Sequence, residues 1–437
     1  MKKQIFLLVI LLLITSAGFI KGQSFIEWQH VLGGHKMASA RDVVSTPDGG
    51  FIVAGQIESD MAISEACIYG DIWLTKLSSR GNVEWQQNYG SSGFDEAYAV
   101  VCTNDGGYVV TALSASCDFN YSGRINNGDA RVLKLNGNGE VEWDVTLGGS
   151  EFDILNSVVQ TSDNGFVLAG FTESSDYDIA MNKGKADGWI VKLNQSGDME
   201  WQYTYGGSDY DELYSITQTL DGGFALCGYT ESCNGDVSKN HGSGDLWVLK
   251  IDNKGILEWE KSLGGGNNDV GYALVQSADN GILVVGFTES VDGHVSNHHD
   301  KEDVWIVKLD VSGNLEWEKS MGGSGYDTAT SVINSGSDGY IVTGWTESDN
   351  GDIGINKGGS DIWIVKLNYA GSVEWEQTIG GSDWDVACSV TSSDNNSFVL
   401  AGFTSSSDGD VNKHHTGEWN AWVVKLNNIS FTMKTGN

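Results

Sequence analysis

Four glycine-containing loops of the sequence carry carboxylates that could bind a cation. The candidate ligands are Asp236, Asp292, Asp352, Asp408 and Asp410. Carboxylate oxygens spaced by glycine suit Ca²⁺, although none of these loops has the twelve-residue EF-hand pattern with its closing glutamate. Two interpretations therefore stay open, a calcium site and a set of solvated polar loops. No other cofactor is indicated.

Aromatic and histidine side chains in or near these loops could bind a ligand. The candidates are Tyr210, Tyr326, Trp384, His241, His298, His299, His414 and His415. An aromatic ring at such a position either stacks on a sugar or packs against the protein, and three histidines can hold Zn²⁺. These histidines are either adjacent in sequence or far apart, which favours solvated loops over a zinc site.

No residue is assigned a catalytic role. The sequence has no GxSxG, no HExxH and no phosphate-binding glycine loop. A sialidase-type site needs a cluster of arginines, and the chain has only Arg41, Arg80, Arg124 and Arg131. Whether the protein is an enzyme stays open, with the balance against it.

The elements that position these residues follow from an internal repeat. A Glu-Trp pair recurs, first after 57 residues and then five times after 58. Its tryptophans are Trp28, Trp85, Trp143, Trp201, Trp259, Trp317 and Trp375. A unit of this length cannot bury both faces alone, so neighbouring copies must share a core. We interpret the tryptophans as structural residues that pack between copies.

Each unit predicts four β-strands. In the copy after Ser150 these are "ILNSVVQT", "FVLAGFTES", "WIVKL" and "DMEWQYTYGG", with "SDNG" between the first two as a type I′ turn. Four-stranded antiparallel units in series are typical of a β-propeller. Seven turns of the DGG type and seven third strands predict an all-β, seven-bladed propeller. Its N-terminal strand is expected to complete the last blade and close the ring.

The turn after each third strand predicts a cross-strand ion pair. A three-residue turn at 195–197 would place Lys192 opposite Glu200 and Val191 opposite Trp201. The same arithmetic applies in every copy, and in the last one it joins Lys425 to Glu27. Such pairs contribute about 0.2–1 kcal/mol each, so they set the register more than they supply stability.

The stretch "DVWIVKLDVSGNLEW" resembles the tryptophan-docking signature of quinoprotein-type propellers. The longer unit is similar to the repeats of secreted propeller-like proteins of the Bacteroidetes, over roughly residues 25–427. The resemblance implies the propeller fold but no particular activity. Quinoprotein dehydrogenases typically have eight blades and a vicinal cysteine pair, and this sequence has neither.

Composition and the chain ends suggest where the protein acts. Residues 1–22, with Lys2 and Lys3 before an apolar run, predict a signal peptide; the propeller would span 23–427 and a tail 428–437. No later stretch is apolar enough to span a membrane. The formal net charge of −34 disfavours nucleic acid and anionic lipid as partners. Cys67 and Cys117 are a candidate disulfide between the first two repeats.

These patterns lead to three hypotheses for function. The first is a secreted or cell-surface binding or adhesion protein, monomeric, that recognises a glycan or an extracellular protein through its loop face, with Ca²⁺ assistance left open. The second is a secreted carbohydrate-active hydrolase or lyase with carboxylates near the central axis. The third is a non-catalytic structural component of the envelope.

Overall fold

A computed structural model describes residues 25–34, 36–58, 70–90, 93–116, 128–336, 338–412 and 419–427. These residues form strands β1 to β28 and a single short 3₁₀ helix, Asp394–Asn396. Within the described ranges no helix has the length and apolarity needed to cross a membrane. Residues 1–22, the tail 428–437, Cys67, Cys117, His414 and His415 lie outside the described residues, so the predictions made on them stay predictions.

The strands follow the sequence repeat, four to a copy. Repeat 1 contains β2 (Ala38–Ser45), β3 (Phe51–Glu58), β4 (Gly70–Leu77) and β5 (Val83–Tyr89). Repeat 2 contains β6 (Gly93–Cys102), β7 (Tyr108–Ser116), β8 (Asp129–Leu135) and β9 (Val141–Leu147). Repeat 3 contains β10 (Asp153–Gln160), β11 (Phe166–Thr172), β12 (Asp187–Leu193) and β13 (Met199–Tyr205). Repeat 4 contains β14 (Asp211–Gln218), β15 (Phe224–Thr230), β16 (Asp245–Ile251) and β17 (Leu257–Leu263).

The remaining repeats continue the pattern. Repeat 5 contains β18 (Asp269–Gln276), β19 (Ile282–Thr288), β20 (Asp303–Leu309) and β21 (Leu315–Met321). Repeat 6 contains β22 (Asp327–Asn334), β23 (Tyr340–Thr346), β24 (Asp361–Leu367) and β25 (Val373–Ile379). Repeat 7 contains β26 (Asp385–Ser392), β27 (Phe398–Thr404) and β28 (Asn420–Asn427), and β1 (Phe25–Leu32) pairs with β28.

The sheets are antiparallel and packed in series. Five are four-stranded, and repeats 1 and 2 are joined into an eight-stranded sheet by one parallel bridge between Gly70 and Phe94. The middle strands β11 and β12 are buried along almost their whole length, as expected of strands covered on both faces, whereas β13 is partly exposed. The structure is therefore all-β, built from repeated four-stranded antiparallel sheets.

The first and last repeats are neighbours. β1 is antiparallel to β28, and the Oε2 atom of Glu27 lies 3.3 Å from Nζ of Lys425. The backbone N–H of Val43 in repeat 1 donates a hydrogen bond to Oγ of Ser389 in repeat 7, which in turn donates to Asp42 at 2.7 Å. Side chains of both repeats share one apolar cluster.

The predicted register of the third and fourth strands is wrong by one residue. Lys192 lies opposite Trp201, because Glu200 occupies a β-bulge next to the turn. The turn itself has the predicted form, with Gly197 at φ +86°. The ion pair still forms because the long side chains span the bulge, and Nζ of Lys192 lies 3.4 Å from the carboxylate of Glu200. The same Nζ atom also lies 3.1 Å from the carboxylate of Asp163, a second partner that the sequence did not predict.

The hairpin between β10 and β11 also differs from the predicted type I′ turn. Asn164 has a positive φ of 62°, but Gly165 is not among the residues with positive φ, and a type I′ turn requires both. The side chain of Asp163 accepts hydrogen bonds from Gly165 N–H at 2.9 Å and from the hydroxyl of Thr161. The Asp163 carboxylate thus stabilises a turn that is longer than the predicted two-residue type I′ turn.

Six of the seven tryptophans of the Glu-Trp pairs pack on the hairpin between the third and fourth strands of the next repeat. Trp143 lies against Gly197, and its Nε1–H donates to the carbonyl of Gln195 at 3.1 Å. The same contact joins Trp28 to Gly81, Trp85 to Gly139, Trp201 to Gly255, Trp259 to Gly313 and Trp317 to Gly371. Trp375 is buried in a cluster with Phe398. A second set of tryptophans, in the third strands, is more deeply buried: Trp73, Trp189, Trp247, Trp305, Trp363 and Trp422.

Candidate functional site

The candidate site is the loop face, which we define as the segments from the fourth strand of one repeat to the first strand of the next, together with the loops between second and third strands. In repeat 4 these are residues 206–210 and 231–244. The first carries a Gly-Gly pair, whose lack of side chains lets three carboxylates, those of Asp187, Asp211 and Asp236, approach the backbone at Gly206. Equivalent junctions occur at Gly148, Gly264, Gly322 and Gly380.

The first of these groups is the carboxylate of the aspartate that begins the first strand in repeats 3 to 7, which is Asp211 in repeat 4. Asp211 is fully buried and accepts hydrogen bonds from Gly207 N–H (2.7 Å), from Ser232 Oγ (2.7 Å) and from the hydroxyl of Thr230. Burial raises its pKa against these hydrogen bonds. Asp153, Asp269, Asp327 and Asp385 are placed alike, and the pKa of Asp269 is raised to about 6. These side chains fix the loop backbone.

The second group is the carboxylate of the aspartate that begins the third strand in repeats 2 to 6, which is Asp187 in repeat 3. Asp187 is fully buried, and its Oδ2 accepts a hydrogen bond from the backbone N–H of Lys183 at 2.8 Å. Its Oδ1 has no hydrogen-bond partner among the described residues. Burial raises its pKa to about 6, with the charges of Asp211 and Asp236 adding to the rise. The pKa of Asp361 is raised to about 6 in the same way.

The third carboxylate comes from the loop and includes the residues considered as calcium ligands. Asp236, Asp352 and Asp410 each accept a hydrogen bond from the N–H of the first junction glycine, at 3.1–3.2 Å. Asp292 and Asp408 occupy a neighbouring position and accept from the N–H groups of Gly266 and Ser382, at 2.7 and 2.8 Å. The five residues thus lie at four separate junctions, with Asp408 and Asp410 sharing one, and each holds the backbone of its own junction. Over the described ranges, no group of three or more His, Cys, Asp or Glu side chains could hold a metal ion.

Two of the histidines considered as ligand-binding residues, His241 and His299, form part of the same junctions. They occupy the position of Lys183 and Lys357, and their Nδ1 atoms lie 2.6 and 3.0 Å from the third-strand aspartates Asp245 and Asp303. Both ring nitrogens of His298 are shielded from solvent and lack a hydrogen-bond partner in the described part of the chain. His241 and His299 are therefore components of the loop framework, a role that aligning the repeats by their lysines would have indicated.

At one junction both members of an ion pair are replaced by histidines, which we call the reciprocal substitution. Lys183 forms an ion pair with Asp236, and Lys357 forms one with Asp410. At the corresponding junction of repeat 5, both partners are histidines, His241 and His294, whose ring centroids are 4.8 Å apart. Burial lowers the pKa of His294, and the charge of His241 lowers it further. A pair of imidazoles thus stands where the other two junctions have an ion pair.

The candidate aromatic residues project from this framework into solvent. Tyr210, Tyr326 and Trp384 are 37%, 38% and 48% exposed. Each precedes the buried aspartate of a first strand, so the rigid junction fixes its backbone. The Nζ atom of Lys185 lies over the ring of Tyr210, 4.7 Å from its centroid, and the Nζ atom of Lys301 lies 4.1 Å from the ring centroid of Tyr326. The three residues lie at separate junctions and do not form one cluster.

A set of residues that was not considered from the sequence lies on the first strands. A β-bulge interrupts each first strand, and the residue at that bulge differs between otherwise similar repeats. These residues are Arg41, Tyr98, Asn156, Tyr214, Tyr272, Thr330 and Cys388. Neighbouring members contact each other, since the rings of Tyr214 and Tyr272 are 5.4 Å apart. Variation at one position of a regular repeat is the signal that could have identified them.

Two acidic groups accompany these bulge residues. Nε of Arg41 donates to Oε1 of Glu96 at 2.7 Å, and the hydroxyl of Tyr214 donates to Oε2 of Glu212 at 2.5 Å. Burial raises the pKa of Glu212, and the charges of Glu173 and Glu231 raise it further. Glu212 is therefore a carboxyl group with a raised proton affinity beside two tyrosines.

Sequence comparison with known proteins finds similarity over only part of the chain. No family model matches the chain. It is 30% identical over 160 residues to the regulatory protein FlaEY of Caulobacter vibrioides, covering 34% of this chain and 16% of that protein. The chain thus spans about a sixth of that relative's length.

Solved structures similar to this one include propellers of the WD40 type. The WD40 domain of Pan2 from Neurospora crassa is 12% identical, covers 91% of both chains and gives a TM-score of 0.48. Sqt1 from Chaetomium thermophilum is 12% identical with a TM-score of 0.48, over 93% of this chain and 100% of its own. A protein of unknown function from Bacteroides caccae is 10% identical with a TM-score of 0.38, over 64% of this chain and 81% of its own. These scores are below 0.5, so the description of the fold rests on the strand pairings.

Proposed function

We propose that the protein is a secreted, seven-bladed β-propeller that binds a glycan or an extracellular protein through its loop face. The pairing of β1 with β28 and the hydrogen bonds between Val43, Ser389 and Asp42 support a closed ring of seven four-stranded blades. The lysines and apolar run of residues 1–22 support export. Binding at loops held by a rigid scaffold is common in such folds.

One observation carries this proposal: a uniform buried framework supports exposed residues that differ from one repeat to the next. The junction aspartates bind the loop backbone in the same way in repeats 3 to 7. At the position that precedes each of them the residue changes from Tyr210 to Asn268, Tyr326 and Trp384, and the three aromatic residues are exposed. A fixed backbone lowers the entropy lost on binding, and variable side chains supply selectivity.

A glycan array and capture from the native cell surface, each with and without EDTA, test the proposal. We expect binding that falls when Trp384 or Tyr326 is replaced by Ala, while Leu220→Ala, an exposed apolar residue outside the loop face, leaves it unchanged. Loss of binding in EDTA would support calcium assistance. A blank array together with unchanged capture by both aromatic variants would contradict the proposal and favour a structural envelope component.

A second candidate function is a hydrolase or lyase that uses a carboxyl group near the ring axis. Glu212 favours it, because a raised pKa beside Tyr214 suits a proton donor. A panel of polysaccharides tests this function. Turnover that is lost in Glu212→Gln and kept in the exposed-site variant Glu200→Gln would establish it, and absence of turnover across the panel would exclude it for those substrates.

A further inference from the structure

The junction between repeats 3 and 4 contains a small ammonium site filled by the protein itself. The Nζ atom of Lys185 lies 3.0 Å from Oδ1 of Asp209 and 4.7 Å from the ring centroid of Tyr210. The carboxylate and the ring are consecutive residues in the segment after β13, so the rigid junction holds them side by side. The ammonium is thus bound by one charge and one aromatic face.

The junction between repeats 6 and 7 has the same two binding groups without the lysine. Asp383 and Trp384 occupy the positions of Asp209 and Tyr210, but Gly359 stands where Lys185 would be. Among the described residues no side chain pairs with the carboxylate of Asp383. The indole of Trp384 is 48% exposed, more than either tyrosine at the equivalent positions.

This junction also has a second aromatic wall that the filled site lacks. Trp419 stands where repeat 4 has Gly244, and its ring centroid lies 6.4 Å from that of Trp384 and 4.8 Å from that of Phe403. Trp419 is itself partly exposed. Tryptophan attracts a cation more strongly than tyrosine does, so among the described residues this site has gained aromatic surface, with Gly359 in place of the lysine.

We propose that Asp383 and Trp384, with Trp419 beside them, bind the ammonium group of a lysine side chain on a partner protein. The inference rests on the proposed binding function of the loop face and names the group recognised there. The partner's basic character follows from charge, because a chain with a net charge of −34 attracts a basic surface. Lys185 bound to Asp209 and Tyr210 shows the geometry that the external lysine takes.

Binding to a lysine-rich peptide, measured by surface plasmon resonance at low salt, tests the proposal. The comparison peptide has the same sequence with every lysine Nε-acetylated, which removes the charge and keeps the length. We expect the wild-type protein to bind the charged peptide only. Trp384→Ala should weaken that binding by about 2- to 30-fold, the range of a cation–π contact from an exposed to a desolvated site.

Matched variants separate this site from general charge attraction. Tyr210→Ala removes a ring that Lys185 already occupies, so it should leave the affinity for the peptide unchanged. This variant has the same net charge as Trp384→Ala, so a difference in affinity between the two does not come from general charge attraction. Gly359→Lys should supply the missing internal ammonium and weaken peptide binding, and Asp383→Asn should weaken it without adding bulk. A Cβ at residue 359 would lie 3.0 Å from Cδ1 of Trp384, so circular dichroism checks the fold of that variant.

The outcomes distinguish this inference from the broader proposal. Equal affinity of wild type and Trp384→Ala for the charged peptide, or equal binding of the acetylated peptide, overturns the ammonium site. If a neutral glycan then binds in a manner that requires Trp384, the binding function of the loop face stands and its ligand is a sugar. If binding of the peptide, the glycan and the native surface depends on neither Trp384 nor Tyr326, both proposals fail.

Discussion

The ammonium group of Lys425 lies 3.3 Å from the carboxylate of Glu27, although the two residues are at opposite ends of the described chain. Six further lysines, from Lys76 to Lys366, form the same pair with the glutamate eight residues later, at distances from 2.7 to 3.9 Å. The last copy differs only in that its lysine and glutamate are far apart in the sequence. The ends of the chain are therefore joined by the interaction that sets the register within every other repeat.

Replacing Lys425 tests that relationship. Lys425→Met and Lys308→Met each remove a buried ammonium from between two half-exposed carboxylates, and we expect each to lower the free energy of unfolding by about 1 kcal/mol. Urea denaturation measures the loss. Lys254→Met, at an exposed turn, is the control and should change little. A cost for Lys425→Met equal to that of the control would mean that β1 contributes nothing at this position.

The packing of each tryptophan on the next repeat can be isolated with two glycines. Gly197 and Gly222 have nearly the same φ, +86° and +88°, but an added Cβ at 197 would meet the Trp143 ring at 3.0 Å, whereas at 222 it would meet nothing. We expect Gly222→Ala to cost about 1 kcal/mol for the left-handed backbone. Gly197→Ala should cost about 1 kcal/mol more for overpacking. Equal thermal shifts for the two variants would show that the tryptophan contact is loose.

Stability should depend on pH in two opposite ways. The pKa of Asp187, Asp269 and Asp361 is raised to about 6, so the folded state holds protons that the unfolded chain releases, and stability rises as pH falls from 7 towards 4. The pKa of the turn residues Asp48, Asp163 and Asp221 is lowered to about 2, so stability falls as pH drops from 4 to 2.

Urea midpoints between pH 2 and 7 measure both effects, with the maximum expected between about pH 4 and 5, near the acid end of the usual range. Asp361→Asn should flatten the rise between pH 7 and 5, because it removes one group with a raised pKa. Asp383→Asn, an exposed carboxyl, serves as the control. Stability that falls steadily from pH 7 to 5 in the wild type would contradict the assignment of the buried aspartates.

The reciprocal substitution at His241 and His294 predicts energetic coupling. The double variant His241→Lys with His294→Asp recreates the ion pair of Lys183 and Asp236, and it should be more stable than the sum of the single changes implies, by about 0.5–1 kcal/mol. A double-mutant cycle in urea at pH 7 gives the coupling energy. A value near zero would mean that the two positions act independently despite the 4.8 Å between their rings.

The repeat in the sequence was sufficient to predict the strands, their order and the hairpin with Gly197, because strand alternation and turn chemistry are local properties. The register of Lys192 was missed because a bulge at Glu200 is a backbone irregularity that counting along two strands does not show. The aspartates and histidines of the loops were harder to assign. Polar residues spaced by glycine look alike whether solvated or buried, and only the fold reveals that Asp236 accepts a hydrogen bond from Gly206 and that His241 lies against Asp245.

The position of β1 beside β28 has a consequence for biogenesis. β1 is synthesised before β28, so it must remain without its hydrogen-bonded partner strand until synthesis has covered the other repeats. A proteolytic cut between β1 and β2 would leave β1 held by its pairing with β28 and by the contact of Trp28 with Gly81. The seam between β1 and β28 therefore forms only after all the other repeats have been made.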